Sequence, residues 1–317
     1  MAARGGALVT WQPAKEEVAQ VTDRDHRSTT FRAFVEERPG EQWREHVRRH
    51  WPRLRPSEVD DSFTMAWRTA VLGLSVPALG AMSAELAAAA ELDDLALTAF
   101  LTHVGPPRPE VTGRQVTGGS TLVRNLDADV TRHEWTLWQS KLGRRRVMGT
   151  TSGLWGLLDG INEDGLVVSL NSDREARHDE ATYGLSGPLL VRHLLEHCAV
   201  VRDVDEALTG WRTATTHDIS VVDAAGDRAA YRVQPNNLTL RGRTQHWDTS
   251  FEAVSAMLSA PRYRTSSTLG VRTLHTAVYL PAKGSVTLLW PNEIRSWTFD
   301  VFEPAEIEVP HRADLTP

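Results

Sequence analysis

The chain has 317 residues, of which 41% are hydrophobic and 24% are charged. This composition is typical of a globular protein with one large or two modest domains. The formal net charge is −6, which argues against a nucleic acid partner, because binding to phosphates normally requires a basic face. We therefore expect a small-molecule or peptide-like substrate.

The apolar runs of the sequence are too short to cross a membrane. The first residues lack a long apolar segment, and no later run approaches the roughly eighteen apolar residues of a spanning helix. Cys198 is the single cysteine, so no disulfide can form within the chain, which suits a reducing compartment. The sequence therefore predicts a cytoplasmic protein with no membrane partner.

The first third of the chain reads as a polar arm followed by helices. Residues 1–30 are polar and lack periodicity. After them, apolar residues recur at helical spacing, with a turn at Pro39-Gly40. The prolines between Gly105 and Pro109 end this helical region. Helices are predicted at residues 31–54, 62–72 and 81–101.

Beyond the proline-rich break, short alternating runs bounded by Gly, Asn and Asp predict strands. The first two, 112–117 and 120–127, flank Gly118-Gly119, whose glycines accept the positive φ of a two-residue hairpin turn. Helices are predicted at residues 187–198 and 203–208. Further strands are predicted at residues 153–161, 166–170, 219–224, 229–233, 238–241, 273–279 and 285–290.

Three motifs in the strand-rich part resemble those of a known family. They are Arg124-Asn125-Leu126-Asp127, the stretch from Gly160 to Asn171, and the stretch from Gly187 to Cys198. Together with the segment from Arg272 to Gly284, they are similar in order to the autoproteolytic acyltransferases and hydrolases of N-terminal-nucleophile type. That family includes acyl-coenzyme A:6-aminopenicillanate acyltransferase and, more distantly, the choloylglycine hydrolases. The resemblance extends over residues 31–304.

The resemblance implies an α+β fold, a four-layer αββα sandwich in which two antiparallel sheets lie between helical layers. The order of the predicted helices and strands agrees with such layers. We expect four parts of the chain: a polar arm (1–30), a helical pro-segment-like region (31–111), the sandwich core (112–304) and a tail (305–317).

The resemblance also implies amide chemistry. In the family, a Cys, Ser or Thr freed by self-cleavage attacks the substrate, and its own α-amino group acts as base. The nucleophile is normally a cysteine that opens the strand paired with the Arg-Asn-x-Asp strand, and that cysteine is absent here. Cys198 lies on a predicted helix, where a lone cysteine is usually a small buried hydrophobe.

Thr112 is the candidate that replaces the missing cysteine. If Gly118-Gly119 forms the turn, Thr112 lies opposite Asn125, with Asp127 just beyond. The Val111-Thr112 bond follows the proline-rich break, where it would be open to cleavage. Three alternatives stay open: Thr117 or Ser120 as nucleophile, a Thr112 that simply suits the start of a strand, and a chain with no working nucleophile.

Further site residues follow from the resemblance. Arg124 and Asp127 match a pair that tunes the nucleophile's amine and binds the polar end of the substrate, with a structural ion pair as the alternative. Asn171 matches an asparagine that donates to the substrate or the oxyanion, with a strand cap as the alternative. Gln245 stands where the family carries an oxyanion asparagine, so its longer arm displaces or removes that donor. Asn125 is expected to contact the substrate.

Aromatic, basic and histidine residues are candidate binding groups. Trp135, Trp138 and Trp155 lie between two of the motifs and are expected to line a cleft for a hydrophobic acyl group, with packing as the alternative. The basic run 144–146 suits a solvated loop better than a clamp for a coenzyme A thioester, the acyl donor that an acyltransferase would use. The pair His193 and His197 has metal-ligand spacing but no third ligand. We expect no metal and no cofactor.

Two functions of different class remain. In the first, the chain is an amide hydrolase or acyltransferase that cuts itself before Thr112. In the second, it never matures, and the same scaffold serves as a small-molecule binding or biosynthetic accessory protein. Cleavage before Thr112 occurs only under the first function, so it distinguishes the two.

Overall fold

The structure is a computed structural model that describes residues 28–56, 61–105, 112–131, 133–172, 184–209, 211, 213–235, 238–242, 245–265 and 271–310. Most of the predicted polar arm and residues 311–317 of the predicted tail therefore lie outside the described residues. Within the described ranges the chain forms seventeen strands and seven α-helices, which are labelled in chain order, and a 3₁₀ helix at Pro281–Lys283.

Nine strands form the larger sheet. Their bounds are β1 Ser28–Val35, β5 Thr136–Ser140, β6 Val147–Ser152, β7 Gly156–Asn162, β8 Val167–Ser172, β10 His217–Val222, β11 Arg228–Gln234, β12 Leu238–Arg241 and β17 Ala305–Pro310. Across the sheet they follow the order β12-β11-β10-β8-β7-β6-β5-β1-β17. Only β1 and β5 run parallel, and the other neighbours are antiparallel.

Six strands form the second sheet. Their bounds are β3 Thr112–Gly118, β4 Thr121–Asp129, β13 Gln245–Trp247, β14 Val271–Leu280, β15 Ser285–Trp290 and β16 Glu293–Thr298. Their order is β13-β3-β4-β14-β15-β16, and only β13 and β3 run parallel. Two short strands, β2 Val104–Gly105 and β9 Gly184–Leu185, pair with each other outside both sheets.

Side chains satisfy the first backbone N–H groups of several helices. Asp61 accepts a hydrogen bond from Thr64 N, and Thr249 with Glu252 forms a capping box. No helix in the described part of the chain combines the length and apolar character that crossing a membrane requires. The bounds are α1 Glu41–Leu54, α2 Ser62–Ser75, α3 Pro77–Ala89, α4 Leu95–Leu101, α5 Gly187–His197, α6 Val201–Ala207 and α7 Ser250–Met257.

The hydrophobic clusters define four layers. The first cluster, which contains Trp43 and Leu190, joins α1–α6 to the larger sheet. The second lies between the two sheets and contains Leu126 and Leu158. A smaller cluster around Met257 holds α7 on the outer face of the second sheet. Helices, sheet, sheet and helix thus follow one another, and the predicted α+β class with an αββα arrangement is confirmed.

The prediction of a helix that starts at Phe31 is wrong. Residues 28–35 form β1, which lies between β5 and β17, and the helix starts at Glu41. Four consecutive residues of β1, 31–34, are buried, because helices cover one face of this sheet and the second sheet covers the other. A strand buried on both faces shows no alternation, and the three-residue spacing of Phe31 and Phe34 imitates a helix.

Two further boundaries differ from the predictions. The helix predicted at 81–101 is two helices, α3 and α4, and Asp94 starts the second by accepting a hydrogen bond from Ala96 N. The first residues of the predicted tail form β17, which pairs with β1. Ser28 and Thr30 donate hydrogen bonds to the Glu308 carboxylate across this pair. The larger sheet therefore includes residues near both ends of the described chain.

Trp138 lies in the centre of the core between helices and sheet. Its ring stacks on Phe34 at 5.5 Å and on Trp43 at 5.7 Å between centroids. The Arg192 guanidinium lies 5.2 Å from the ring centroid, and the indole N–H donates to Glu36 O at 3.0 Å. Both the faces and the polar edge of this tryptophan are therefore used within the fold.

The substitution Trp138→Ala is expected to lower the free energy of unfolding by about 3–5 kcal/mol, because it leaves a cavity between three aromatic or cationic neighbours. Denaturant titration of both proteins measures the difference. Phe251→Ala is the matched control, since Phe251 is 81% exposed, and its effect should stay within about 0.5 kcal/mol. Equal small effects of the two substitutions would contradict the packing role of Trp138.

Candidate active site

The β3–β4 hairpin places Thr112 opposite Asp127 rather than Asn125. The two-residue turn is Gly119-Ser120, with Gly119 at φ +55°, so the predicted turn at Gly118-Gly119 is wrong by one residue. Gly118 lies in the strand, where the start of α7 packs closely against it. A Cβ at Gly118 would lie 2.5 Å from both Ala253 Cβ and Thr249 O. The observed register brings Thr112 closer to Asp127 than predicted.

The predicted pair of Arg124 and Asp127 is separated in the structure. Their side chains lie on opposite faces of β4, because they are three positions apart and successive side chains of a strand alternate. Arg124 is fully buried between the sheets, where it donates to Leu158 O at 2.6 Å and pairs with Asp159 Oδ2 at 3.2 Å. Burial lowers the pKa of Arg124, while the charge of Asp159 opposes this effect. Arg124 therefore has the contacts of a structural ion pair.

Asp127 lies at the same end of the sheet as Thr112 and is 1% exposed. Its Oδ1 accepts a hydrogen bond from Thr273 Oγ1 at 2.7 Å, and its Oδ2 lies 3.6 Å from Arg264 Nε. Burial raises the pKa of Asp127 above its usual value, against the lowering effects of Thr273 and Arg264. A carboxylate with a raised pKa beside the predicted nucleophile is a feature of a functional site.

Asn171 reaches the start of β3 from the other sheet. It lies on β8 opposite Asp218, and its Oδ1 is buried with no hydrogen-bond partner among the described residues. A Cβ at Gly113 would lie 3.4 Å from this oxygen and 2.0 Å from Asn125 O. The missing side chain at Gly113 thus lets β3 lie close to Asn125 O of β4, while Asn171 lies beside the same position from the other sheet. The structure brings Thr112, Asp127 and Asn171 to one end of the sandwich.

Gln245 lies away from this group. On β13 it is opposite Val116, four residues beyond Thr112, which is about 13 Å along the sheet. Its side chain is exposed and accepts a hydrogen bond from Arg262 at 3.1 Å. Whether the oxyanion donor expected at Gln245 is displaced or lost stays a prediction.

Asn125 has the contacts of an internal brace. Its amide nitrogen donates to Met257 O at 2.8 Å and to Arg262 O at 3.0 Å. Its amide oxygen accepts a hydrogen bond from Thr276 Oγ1 at 2.7 Å. These three bonds use the amide and tie the end of α7, the segment after it and β14 to β4. All the described hydrogen bonds of this side chain are therefore within the fold.

The three candidate tryptophans do not share a cleft. Trp138 and Trp155 lie in the core between the helices and the larger sheet, where Trp155 donates to Leu101 O at 2.8 Å. Trp135 belongs to the core between the sheets and reaches a surface pocket of about 430 Å³ when its open mouth is included. The lining residues include Trp135, Tyr263, Arg264, Arg272, Thr273 and Leu274.

This pocket is next to Asp127, because two of its lining residues, Arg264 and Thr273, also contact that carboxylate. Sequence reasoning missed both of them. Thr273 falls inside a strand that the sequence did predict, and its role follows only from the register that puts it opposite Asp127. The pocket presents two guanidinium groups, a phenol and an indole, which suits a ligand with a negative or polar group beside an apolar one.

The alternative nucleophiles are at the far end of the hairpin. Thr117 is 1% exposed, and its hydroxyl contacts His246 Nδ1 at 2.9 Å. Ser120 is exposed in the turn. Cys198 is 2% exposed, and burial together with the charge of Asp203 raises its pKa to about 12. The thiol is therefore protonated at neutral pH, as expected for a structural cysteine.

The basic run and the histidine pair have structural contacts. Arg145 pairs with Asp164, and Arg146 pairs with Glu163 at 2.8 Å, so two of the three cations are held at the β7–β8 turn. The rings of His193 and His197 stack, and burial followed by the charge of His197 lowers the pKa of His193 to about 4. Among the described residues no three His, Cys, Asp or Glu side chains are grouped as metal ligands.

Comparison with known families supports the resemblance. A family model described as acyl-coenzyme A:6-aminopenicillanic acid acyl-transferase matches residues 116–256, which is under half of the chain. The resemblance to the N-terminal-nucleophile acyltransferases and hydrolases is confirmed. The match includes the Arg124–Asp127 motif, the β7–β8 hairpin and α5, and it begins four residues after Thr112. Thr112, the predicted nucleophile, is therefore outside the matched segment.

Solved structures are only distantly similar, and none of the likenesses below supports an activity or a site residue. The C2A mutant of conjugated bile acid hydrolase from Clostridium perfringens has 13% identity and a TM-score of 0.39, over 62% of this chain and 96% of that one. Penicillin V acylase from Agrobacterium tumefaciens has 13% identity and a TM-score of 0.34, over 64% and 81%. The Caenorhabditis elegans ortholog of N-acylethanolamine-hydrolyzing acid amidase has 13% identity and a TM-score of 0.31, over 53% and 92%. No curated protein matches the chain in sequence.

The raised pKa of Asp127 predicts how pH affects stability. The folded state holds this proton more tightly than the unfolded state does. The stability that the protonated Asp127 carboxyl contributes is therefore fully present below its unfolded pKa, and it is lost as pH rises through its folded pKa. Asp127→Asn should remove this loss, because an amide does not ionise and still accepts the Thr273 hydrogen bond.

Denaturant titrations from acidic to neutral pH measure the effect. As pH rises through the folded pKa of Asp127, the wild type should lose unfolding free energy relative to Asp127→Asn. The control Asp300→Asn changes an exposed carboxyl and should show a much flatter difference. A flat difference for Asp127→Asn, or one of opposite sign, would show that burial does not disfavour the Asp127 carboxylate.

Proposed function

We propose that the chain is an N-terminal-nucleophile amide hydrolase or acyltransferase that cuts its own Val111-Thr112 bond and then uses Thr112 as nucleophile. Its substrate is a small acylated amine or a peptide-like amide. The observation that carries the proposal is the position of Thr112 at the start of β3, opposite Asp127 and next to Gly113, which lies beside Asn171. The family match supports the reaction class.

Maturation converts an internal amide into a free N-terminus. The Thr112 hydroxyl oxygen attacks the Val111 carbonyl carbon, and the Thr112 nitrogen leaves that carbon and takes a proton, so an ester replaces the amide. Water then hydrolyses the ester. The products are a carboxylate on Val111, a free hydroxyl on Thr112 and a free α-amino group on Thr112.

The matured Thr112 acts on the substrate by the same chemistry. Its α-amino group takes the hydroxyl proton as the oxygen attacks the substrate carbonyl carbon, and the amine part leaves with that proton. Water then releases the acyl group in a hydrolase, whereas a second amine accepts it in an acyltransferase. If the acyl donor is a coenzyme A thioester, its phosphates must bind elsewhere than Arg145 and Arg146, because these two cations are held in ion pairs.

Asn171 and Asp127 have distinct roles in this proposal. The Asn171 side chain is next to the Gly113 backbone, and its amide N–H group, if turned towards a developing oxyanion, would stabilise that charge. Asp127 faces the strand position of Thr112, where its carboxylate would stabilise the protonated α-amino group. The adjacent pocket, with Arg264 and Arg272, would receive the polar end of the substrate, and Trp135 its apolar part.

Cleavage before Thr112 would leave two polypeptides in one fold. The front piece contains β1, which pairs with β5 and β17 in the larger sheet. It also contains Phe31 and Trp43, both 0% exposed. Separation of the pieces would expose these surfaces to water, so we expect them to stay together after cleavage.

Substitutions at Thr112 test the proposal. Thr112→Ala should give an uncut chain with no amidase activity, because it lacks a nucleophile, while Thr112→Ser and Thr112→Cys should still cut themselves. Denaturing mass spectrometry measures cleavage, and release of p-nitroaniline from acyl-p-nitroanilides measures activity. Ser120→Ala is the control in the hairpin turn and should behave as the wild type. Cleavage that survives in Thr112→Ala and stops in Ser120→Ala would reject Thr112.

A second function is favoured by the distance of Gln245 from Thr112 and by the missing cysteine. In that case the chain does not mature, and the pocket beside Asp127 binds a small molecule without reacting. The wild type would then remain a single chain, and Thr112→Ala would change neither its mass pattern nor its ligand binding.

A further inference from the structure

Five buried titratable side chains form a row from the helix layer to the second sheet, which we call the histidine row. His50 and His46 of α1 contact each other, with 4.6 Å between ring centroids. His46 Nε2 lies 3.6 Å from Glu134 Oε2, just before β5. The preceding residue, His133, contacts His275 of β14, with 5.9 Å between ring centroids. All five residues are at most 4% exposed, so the row joins three layers away from bulk water.

Five of the eight ring nitrogens in the row have no hydrogen-bond partner among the described residues. These atoms are His46 Nδ1, His50 Nε2, His133 Nε2 and both ring nitrogens of His275. The rings of Phe31 and Trp290 each lie 6.2 Å from the His275 ring. Neither ring offers an acceptor to an imidazolium, which must donate from both nitrogens. A proton on His275 would therefore add a buried charge without a partner.

At the helix end of the row, one anion faces several cationic groups. Burial alone would raise the pKa of Glu134, but its contact with His46 and the charge of His46 lower that pKa below its usual value. His50 lies beyond this pair, where its Nδ1 contacts Arg53 at 2.7 Å, and Arg49 also opposes a charge on it. Burial, followed by the charge of His46, lowers the pKa of His50 to about 2. This end therefore holds one proton rather than two.

At the sheet end of the row, the neighbouring charge is already a cation. Arg124 acts on both His133 and His275, and Asp159 is its partner at 3.2 Å. Burial, followed by the charge of His275, lowers the pKa of His133 to about 3, although Glu134 and Asp159 oppose this effect. Burial, followed by the charge of Arg124, lowers the pKa of His275 to about 3. Both histidines are therefore neutral while the layers are assembled.

We propose that the histidine row is a pH-sensitive switch that controls the assembly of the layers. The assembled sandwich holds one proton at the His46–Glu134 pair, because Glu134 is the single anion of the row. A further proton enters the row only when α1 or the second sheet moves off the larger sheet, where water can solvate the imidazolium. Acid therefore opens the sandwich, and this effect does not depend on the proposed amide chemistry.

The pH dependence of unfolding has a definite sign. In the unfolded chain a histidine takes up a proton at its ordinary pKa of 6.5, whereas His275 in the folded row does so only at about 3. The stability that such a neutral histidine contributes is fully present above pH 6.5 and is lost as pH falls towards 3. The unfolding constant should therefore rise about tenfold per pH unit for each of His50, His133 and His275 between about pH 6 and 4.

Replacement of one row histidine by a side chain that does not titrate tests the switch. His275→Phe keeps an aromatic ring between Phe31 and Trp290, and its unfolding constant should rise about tenfold less per pH unit than that of the wild type. Denaturant titrations at several values from about pH 7 to 4 measure both constants. His275→Leu should give the same result if the larger phenyl ring does not fit. His246→Phe is the matched control, since His246 is exposed, and it should keep the wild-type pH dependence.

NMR of the wild type with ¹³C at the histidine Cε1 atoms gives an independent measurement. The signals of His50, His133 and His275 should show no protonation in the folded protein and should disappear when acid opens the sandwich. Two results would overturn the proposal. In the first, these rings titrate near pH 6.5 while the fold persists. In the second, both His275→Phe and His275→Leu keep the pH dependence of the wild type.

Discussion

The stacking of the two sheets depends on one buried cation, Arg124. It extends from the second sheet to the larger one, where it donates to Leu158 O and pairs with Asp159. Both Arg124 and Asp159 are fully buried. The Tyr279 hydroxyl also donates to Asp159. Loss of one partner from a buried ion pair costs about 3–5 kcal/mol. A slip of one sheet over the other would separate Arg124 from Asp159, so this pair selects a single stagger.

That stagger determines which residues meet at the end of the sandwich. From Arg124 the strand β4 continues three residues to Asp127, and from Ser169, which also contacts Arg124, β8 continues two residues to Asn171. The start of β3 lies beside both of them, with Thr112 opposite Asp127 and Gly113 next to Asn171. Groups held on paired strands are positioned more precisely than groups on loops. The structural role of Arg124 and the proposed roles of Asp127 and Asn171 are thus parts of one arrangement.

The sequence predicted many of the strands in the second half of the chain. The prediction failed at β1, where burial on both faces removes the alternation of apolar and polar residues. The hairpins β3–β4, β7–β8 and β14–β15 carry glycine or asparagine turns and were identified. Strand β1 was missed because helices and the second sheet bury both of its faces. Helix α7 was also missed, although Thr249 and Glu252 form a capping box that a closer reading of the sequence reveals.

The candidate site was predictable only in part. The strand positions of Thr112 and Asp127 followed from the hairpin, with an error of one residue in the turn that Gly118 explains through its contact with α7. The approach of Asn171 to Gly113 joins two sheets, and local sequence carries no signal for it. The same is true of Arg264 and Thr273, which reach Asp127 from a distant part of the chain. Only the family resemblance pointed to Asn171 in advance.

The central claim is that the chain cleaves itself directly before Thr112, the first residue of β3. The intact mass of the purified wild-type protein under denaturing conditions, with N-terminal sequencing of each component, tests this most directly. The account predicts two polypeptides, one of which starts at Thr112, that elute together under native conditions. A single chain with the full mass would contradict it, and so would a cut at any other residue.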